Sequence, residues 1–245
     1  MSLAETIREI DRRGKRPASG GAAEFQAATR VHGSLLAGVE KRALVWMARR
    51  MPRWVNSDHL TALGSAAMLL CGVCCALSRW WPNALIGANF FLAVNWFGDS
   101  LDGTLARVRE RQRPRYGFYV DHIVDAFGAA ALLGGLAVSG TMHPVVALAV
   151  LAAFFMISIE VYLATYVFGA FRISFWRIGP TEMRLLLIAG NFALLGRPEV
   201  ALLGHRWQLY DFAGAIAAAG LLATTAISAV RHTARLYGEE RLPET

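Results

Sequence analysis

At 245 residues, 55% of them hydrophobic, and with a mean hydropathy of +0.38, the chain is too apolar for an ordinary soluble domain and about the length of one compact membrane bundle. A net charge of +7 would suit a nucleic-acid binder, but the arginines gather at the ends of apolar segments, which excludes a basic soluble face and fits a membrane surface and phosphate-bearing substrates. Cys71, Cys74 and Cys75 share one apolar segment, where thiols pack as small hydrophobes, so neither a disulfide framework nor a cysteine metal site is expected.

Residues 1–30 are charged, rich in small side chains and without the apolar core of a cleavable signal. They read as a cytoplasmic tail, with the first internal span entering the membrane. In residues 31–55, Leu35, Leu36, Val39, Leu44, Val45 and Met47 alternate with Glu40, Lys41, Arg42, Arg49 and Arg50 at helical spacing, which predicts an amphipathic helix lying along the interface. A soluble helix packed on another domain is the alternative.

A helix crosses a hydrocarbon layer with roughly 20 residues. Six stretches approach that length: His59 to Ser78, Pro82 to Leu101, Val120 to Gly140, Pro144 to Phe171, Glu182 to Leu195 and Tyr210 to Val230. The fifth is the shortest. The expectation is an all-α membrane protein, with a six-helix transmembrane domain over 56–232 and a cytoplasmic tail over 233–245. Arg49, Arg50 and Arg53 precede span one, Arg107 to Arg115 separate spans two and three, Arg172 and Arg177 separate four and five, and Arg231, Arg235 and Arg241 follow six. Positive charge favours cytoplasmic loops, so both termini and the connection after span two are expected in the cytoplasm.

That connection concentrates the chemistry. Asp99, Asp102, Gly103 and Arg107 close span two, and Gly117, Asp121 and Asp125 open span three. Residues three or four apart share a helix face, so each pair of acids points one way, and antiparallel neighbours would turn the pairs toward each other. Four ionised carboxylates at one membrane depth repel strongly and call for cations. An all-oxygen donor set favours Mg²⁺ or Mn²⁺, and two such ions can clamp the attacking and leaving oxygens of a phosphoryl group. Gly103 and Gly117 leave room for a nucleotide, and Arg107 offers a planar fork to phosphate. Acids complementing a helix start would explain Asp121 but not Asp99 and Asp102, which sit where the dipole opposes negative charge.

Asp99-Ser-Leu-Asp102-Gly103-Thr-Leu-Ala106-Arg107, then Gly117-Phe-Tyr-Val-Asp121-His-Ile-Val-Asp125, resembles the DxxDGxxAR…GxxxDxxxD signature of the CDP-alcohol phosphotransferase family. The resemblance implies a six-helix fold, commonly a homodimer, in the inner or cytoplasmic membrane. It implies transfer of a substituted phosphate from a CDP-linked lipid or CDP-alcohol to an acceptor hydroxyl, with two Mg²⁺ or Mn²⁺ ions per site and release of CMP. Asp99, Asp102 and Asp121 would be metal ligands, Asp125 a ligand and the general base, and Gly103, Arg107 and Gly117 part of the CDP-donor site. Ser57-Asp58-His59-Leu60-Thr61 resembles the family's Pro-Asn-x-x-Thr segment, so Asp58 and Thr61 would hold cytidine; Asp58 also suits the N-cap of span one.

The acceptor is less defined. Arg172, Arg177 and Arg184 suit an anionic acceptor or anchorage to headgroups. Glu182 suits an ion pair, a hydroxyl ligand or first-turn capping. Asn95 shares a face with Asp99, and Glu160, deep in span four, should face the bundle for acceptor binding or for a hydrogen bond. A membrane prenyltransferase with aspartate-bound magnesium, a cation transporter and a non-catalytic scaffold remain the alternative functions.

Overall fold

The computed structural model describes residues 37–168, 179–196, 199–202 and 205–240. Among them seven helices and one hairpin follow in the order α1 (Ala37–Arg50), α2 (Ser57–Leu77), α3 (Ala84–Val108), α4 (Pro114–Ser139), α5 (Pro144–Phe168), α6 (Pro180–Gly196), β1 (Glu199–Leu202), β2 (His205–Gln208) and α7 (Leu209–Glu239). The predicted stretches all reappear as helices, with revised ends.

Helices α2, α4, α5 and α7 are each long and apolar enough to cross a membrane. Their outward faces carry Leu70, Phe127, Leu148, Leu163, Leu222 and Val230, the large exposed hydrophobics expected where lipid replaces water. Helix α3 is as long, but Asn89, Asn95, Asp99 and Asp102 interrupt its apolar run. Helix α6 has 17 residues, or about 26 Å at the helical rise, short of a ~30 Å hydrocarbon core.

Helix α2 is the spine, packed most extensively on α3 and next on α4. Glycines permit both contacts. A Cβ added at Gly98 of α3 would meet the Leu60 carbonyl and Gly64 nitrogen of α2 at 2.6 Å, and one added at Gly135 of α4 would overlap the Gly72 carbonyl. Backbones this close gain dispersion and polar contacts that lipid does not offer. Cys71 and Cys75 lie in the core beside Leu92, Leu136 and Tyr210, as free thiols that pack.

Helix α1 forms where an amphipathic helix was expected, but Leu44 and Ala48 pack with Leu60, Leu101 and Leu105 while Val39 and Trp46 face outward. Its apolar stripe is therefore partly used within the protein. Helix α5 packs mainly on α7. There Glu160 accepts from Ser228 Oγ at 2.8 Å and faces His232 Nδ1 at 2.6 Å, so this acid holds α5 to α7.

Three expectations are corrected. Span three starts at Pro114, not Val120, because proline at the first helical position suits an N-terminus despite the polar residues around it. Asp121 and Asp125 thus lie two and three turns inside α4, beyond the reach of its N-terminal dipole. The last helix runs to Glu239, through much of the expected tail. A two-stranded antiparallel hairpin, with Val200 opposite Trp207, joins α6 to α7 where no strand was expected.

Replacing Gly98 with valine is expected to force α2 and α3 apart, costing at least about 1–3 kcal/mol as overpacking. Gly220→Val, at a position with nothing within 4 Å, is the control. Thermal melting of the detergent-purified variants checks this, and equal midpoints for the two would contradict it.

Candidate active site

The α3–α4 connection reverses at Glu110, whose φ of 57° is left-handed, and sets the two acidic helices side by side. Asp99 and Asp102 of α3 and Asp125 of α4 line one narrow cleft of about 30 Å³, floored by Thr61, Gly64 and Ser65 of α2. Asp125 is exposed, whereas the other three acids are half-buried. Asp121 does not line the cleft, although its charge reaches the Asp102 carboxyl. Sequence spacing therefore located acids that the fold brings together from two helices.

Each α3 acid is held by a partner. Asp102 accepts from Thr61 Oγ1 at 2.6 Å and from its neighbour Gly103 N at 2.5 Å, and its carbonyl accepts from Ser57 Oγ at 3.0 Å. Asp99 Oδ2 accepts from Arg184 Nη2 of α6 at 2.5 Å. Asn95 joins the same network, donating to the Gly64 carbonyl at 2.9 Å and accepting from Arg184 Nε at 2.8 Å. Asn95 thus lines the cleft and bonds across helices.

Arg184 is only 8% exposed, so it is a buried partner of the acids, not a headgroup anchor. Arg172 and Arg177 lie outside the described residues. Glu182 accepts from the Gly179 backbone at 2.9 Å, a first-turn capping contact. Arg107 donates to Thr104 Oγ1 at 3.1 Å, and its guanidinium passes beside Gly103, where a Cβ would lie 3.4 Å from Nη1. Gly117 has nothing within 4 Å of a would-be Cβ and leaves open space.

The N-cap of α2 is Asn56, not Asp58. Asn56 Oδ1 accepts from His59 N at 2.9 Å, and His59 closes the capping box. Asp58 instead pairs with Arg113 across the α3–α4 connection. With Asn56, Ser57, Ala106, Arg109 and Arg111 it lines a second, larger cleft of about 330 Å³. Arg109 is committed structurally there, donating to the Met51 and Pro52 carbonyls at 2.9 Å. His122 Nδ1 lies 2.6 Å from the Phe118 carbonyl, with its ring against Phe118 and Tyr162, in a packing role.

A hard divalent cation suits the chemistry of this donor set, which consists of carboxylates with hydroxyls beside them. Asp99 and Asp102 are turned to Arg184 and Thr61, and among the described residues no three His, Cys, Asp or Glu side chains stand close enough together to hold one ion. These carboxylates would have to rotate to share a cation.

Glu40 of α1 carried no signal in the sequence beyond membership of a polar helix face. Its Oε1 accepts from Trp96 Nε1 at 2.8 Å, Ser100 Oγ at 3.4 Å and Thr181 Oγ1 at 2.7 Å, tying α1 to the helix of Asp99 and the helix of Arg184.

Compared with models of protein families, the chain matches that of CDP-alcohol phosphatidyltransferase over residues 54–229, well over half its length. No curated protein matches the chain.

Glu40→Ala leaves the Trp96 and Thr181 donors without their acceptor and is expected to cost about 1–3 kcal/mol, whereas Glu40→Gln keeps an acceptor and should lose less. Melting midpoints of the two variants test this; an alanine variant as stable as the wild type would show that Glu40 ties nothing.

Proposed function

Because the chain belongs to the CDP-alcohol phosphatidyltransferase family, we propose that it is a membrane-embedded enzyme that transfers a substituted phosphate from a CDP-linked lipid or CDP-alcohol to an acceptor hydroxyl, releasing CMP. The observation that carries this reading is the cleft lined by Asp99, Asp102 and Asp125, which draws acids from two helices within the matched residues.

Asp99, Asp102, Asp121 and Asp125 would hold two Mg²⁺ or Mn²⁺ ions. Bound there, such ions supply charge neutralisation for the donor diphosphate. The protein's own groups do the rest. Thr61 keeps the Asp102 carboxylate turned into the cleft. Asp125, exposed on the cleft wall, takes the proton of the acceptor hydroxyl as its oxygen attacks the phosphorus that carries the alcohol, and the bond to the CMP oxygen breaks.

Cytidine occupies the 330 Å³ cleft beside Asp58, Ser57 and Ala106. In support, a carboxylate at position 58 accepts from an exocyclic amine, the group that marks cytosine. Gly103 and Arg107 would contact the donor, with the Arg107 guanidinium offering its planar fork to a phosphate oxygen. Glu182, Arg172, Arg177 and Arg184 would be the groups that recognise the acceptor. Six spans, α1 along the interface, a homodimer in the cytoplasmic membrane and a site and termini facing the cytoplasm complete the reading. Its support is the family match, the apolar helices and the arginine distribution.

Purified protein given Mg²⁺ or Mn²⁺, a CDP-linked lipid or CDP-amino alcohol, and a panel of hydroxyl acceptors is expected to release CMP only with the right acceptor, and to stop on chelation. Asp125→Asn should lower turnover by roughly 10²- to 10⁴-fold while donor binding persists. Pyrophosphate release from a prenyl donor, or wild-type turnover by Asp125→Asn, would overturn the assignment.

A further inference from the structure

Arg184 belongs to α6 yet is spent on α3. Its Nη2 donates to Asp99 Oδ2 at 2.5 Å and its Nε to Asn95 Oδ1 at 2.8 Å, while its buried Nη1 has no hydrogen-bond partner. Asn95 is itself fixed by its 2.9 Å bond to the Gly64 carbonyl. A planar fork is thus mounted on α2 through Asn95 and grips Asp99. Asp99 also lines the cleft with Asp102 and Asp125, and no lysine or arginine among the described residues lines it with them. Leaving Asp99 half-buried without a counter-charge would be strongly unfavourable, and Arg184 supplies that charge. The grip is incomplete, because a guanidinium nitrogen buried without an acceptor lowers the stability of this arrangement relative to one that satisfies it.

We propose that Arg184 is a placeholder cation: it neutralises Asp99 while the cleft holds no divalent ion, and gives up that carboxylate when an ion binds, so ion pair and metal compete for Asp99. This rests on reading Asp99 as a metal ligand. Arg184 is a positioning residue and takes no part in bond making. Linkage is reciprocal: the ion pair weakens divalent binding by the same factor by which a bound divalent ion loosens the ion pair.

Mn²⁺ binding to the full-length protein in nanodiscs, followed by the loss of the free-ion electron paramagnetic resonance signal without any nucleotide, tests the competition. Arg184→Met should bind Mn²⁺ about tenfold more tightly than the wild type, within the usual range of coupling between sites. Its metal-free form should melt lower, and saturating Mn²⁺ should recover most of that loss. Arg184→Lys keeps the charge and the apolar stem but cannot bridge Asn95 and Asp99, so its affinity should also tighten, and it serves as the readout if the methionine variant misfolds. An unchanged or weaker affinity in Arg184→Met would overturn the proposal. So would a lysine variant indistinguishable from wild type, which would mean background charge alone. Absence of Mn²⁺ binding in every variant, the wild type included, would overturn instead the reading of the acids as metal ligands.

Discussion

Everything at the acidic cleft depends on how near α2 and α3 approach. Where Gly64 faces Gly98 there is no room for a single added carbon, and that contact sets the register of the two helices. With the backbones so close, Thr61 reaches Asp102, Ser57 reaches the Asp102 carbonyl and Asn95 reaches the Gly64 carbonyl. Three polar contacts repeated along one seam place the acids of α3 to within a rotamer. A wider seam would leave those same side chains pointing into a gap, with carboxylates that no neighbouring helix orients.

The same economy governs charge throughout the apolar part of the molecule. Three acids among these helices are matched to donors on a different helix: Asp99 to Arg184, Glu160 to Ser228 and His232, Glu40 to Trp96 and Thr181. Polar atoms removed from water are costly unless hydrogen-bonded, so these matches fix the partners of helices whose lipid-facing surfaces are otherwise nonspecific. Asn191, which donates to Asn89 and accepts from Tyr210, does the same for α6, joining it to α3 and α7. A helix as short as α6 thereby gains a defined position.

The family and the acids were legible in the sequence because they depend on local spacing: three or four residues fix a helix face whatever the tertiary fold. The helices expected as spans were legible for a similar reason, since apolar length is a property of a segment, and four of them are long and apolar enough to cross a membrane. The start of α4 was not, because Arg113 to Gly117 resembles a polar loop and only Pro114 marks a helix start. Arg184 was left between acceptor binding and headgroup anchorage because an arginine near a helix end usually snorkels, and nothing within α6 reveals that Asn95 and Asp99 wait on another helix. Glu40 and Asn56 were missed alike: one bonds across more than fifty residues of chain, and the other caps a helix one residue before the Ser57–Thr61 segment. The hairpin of four-residue strands is too brief for alternation to register.

The environments of the four acids also divide their work. Asp102 is half-buried and twice hydrogen-bonded, and Asp99 is engaged by a guanidinium, so both are oriented groups suited to holding something in place. Asp125 stands exposed on the opposite wall, where an acceptor from outside can reach it. A proton acceptor must meet a substrate that arrives and leaves, and an orienting group must not move with it. The asymmetry between a braced α3 wall and an accessible α4 wall is the physical ground on which the proposal of Asp125 as proton acceptor rests, apart from the motif.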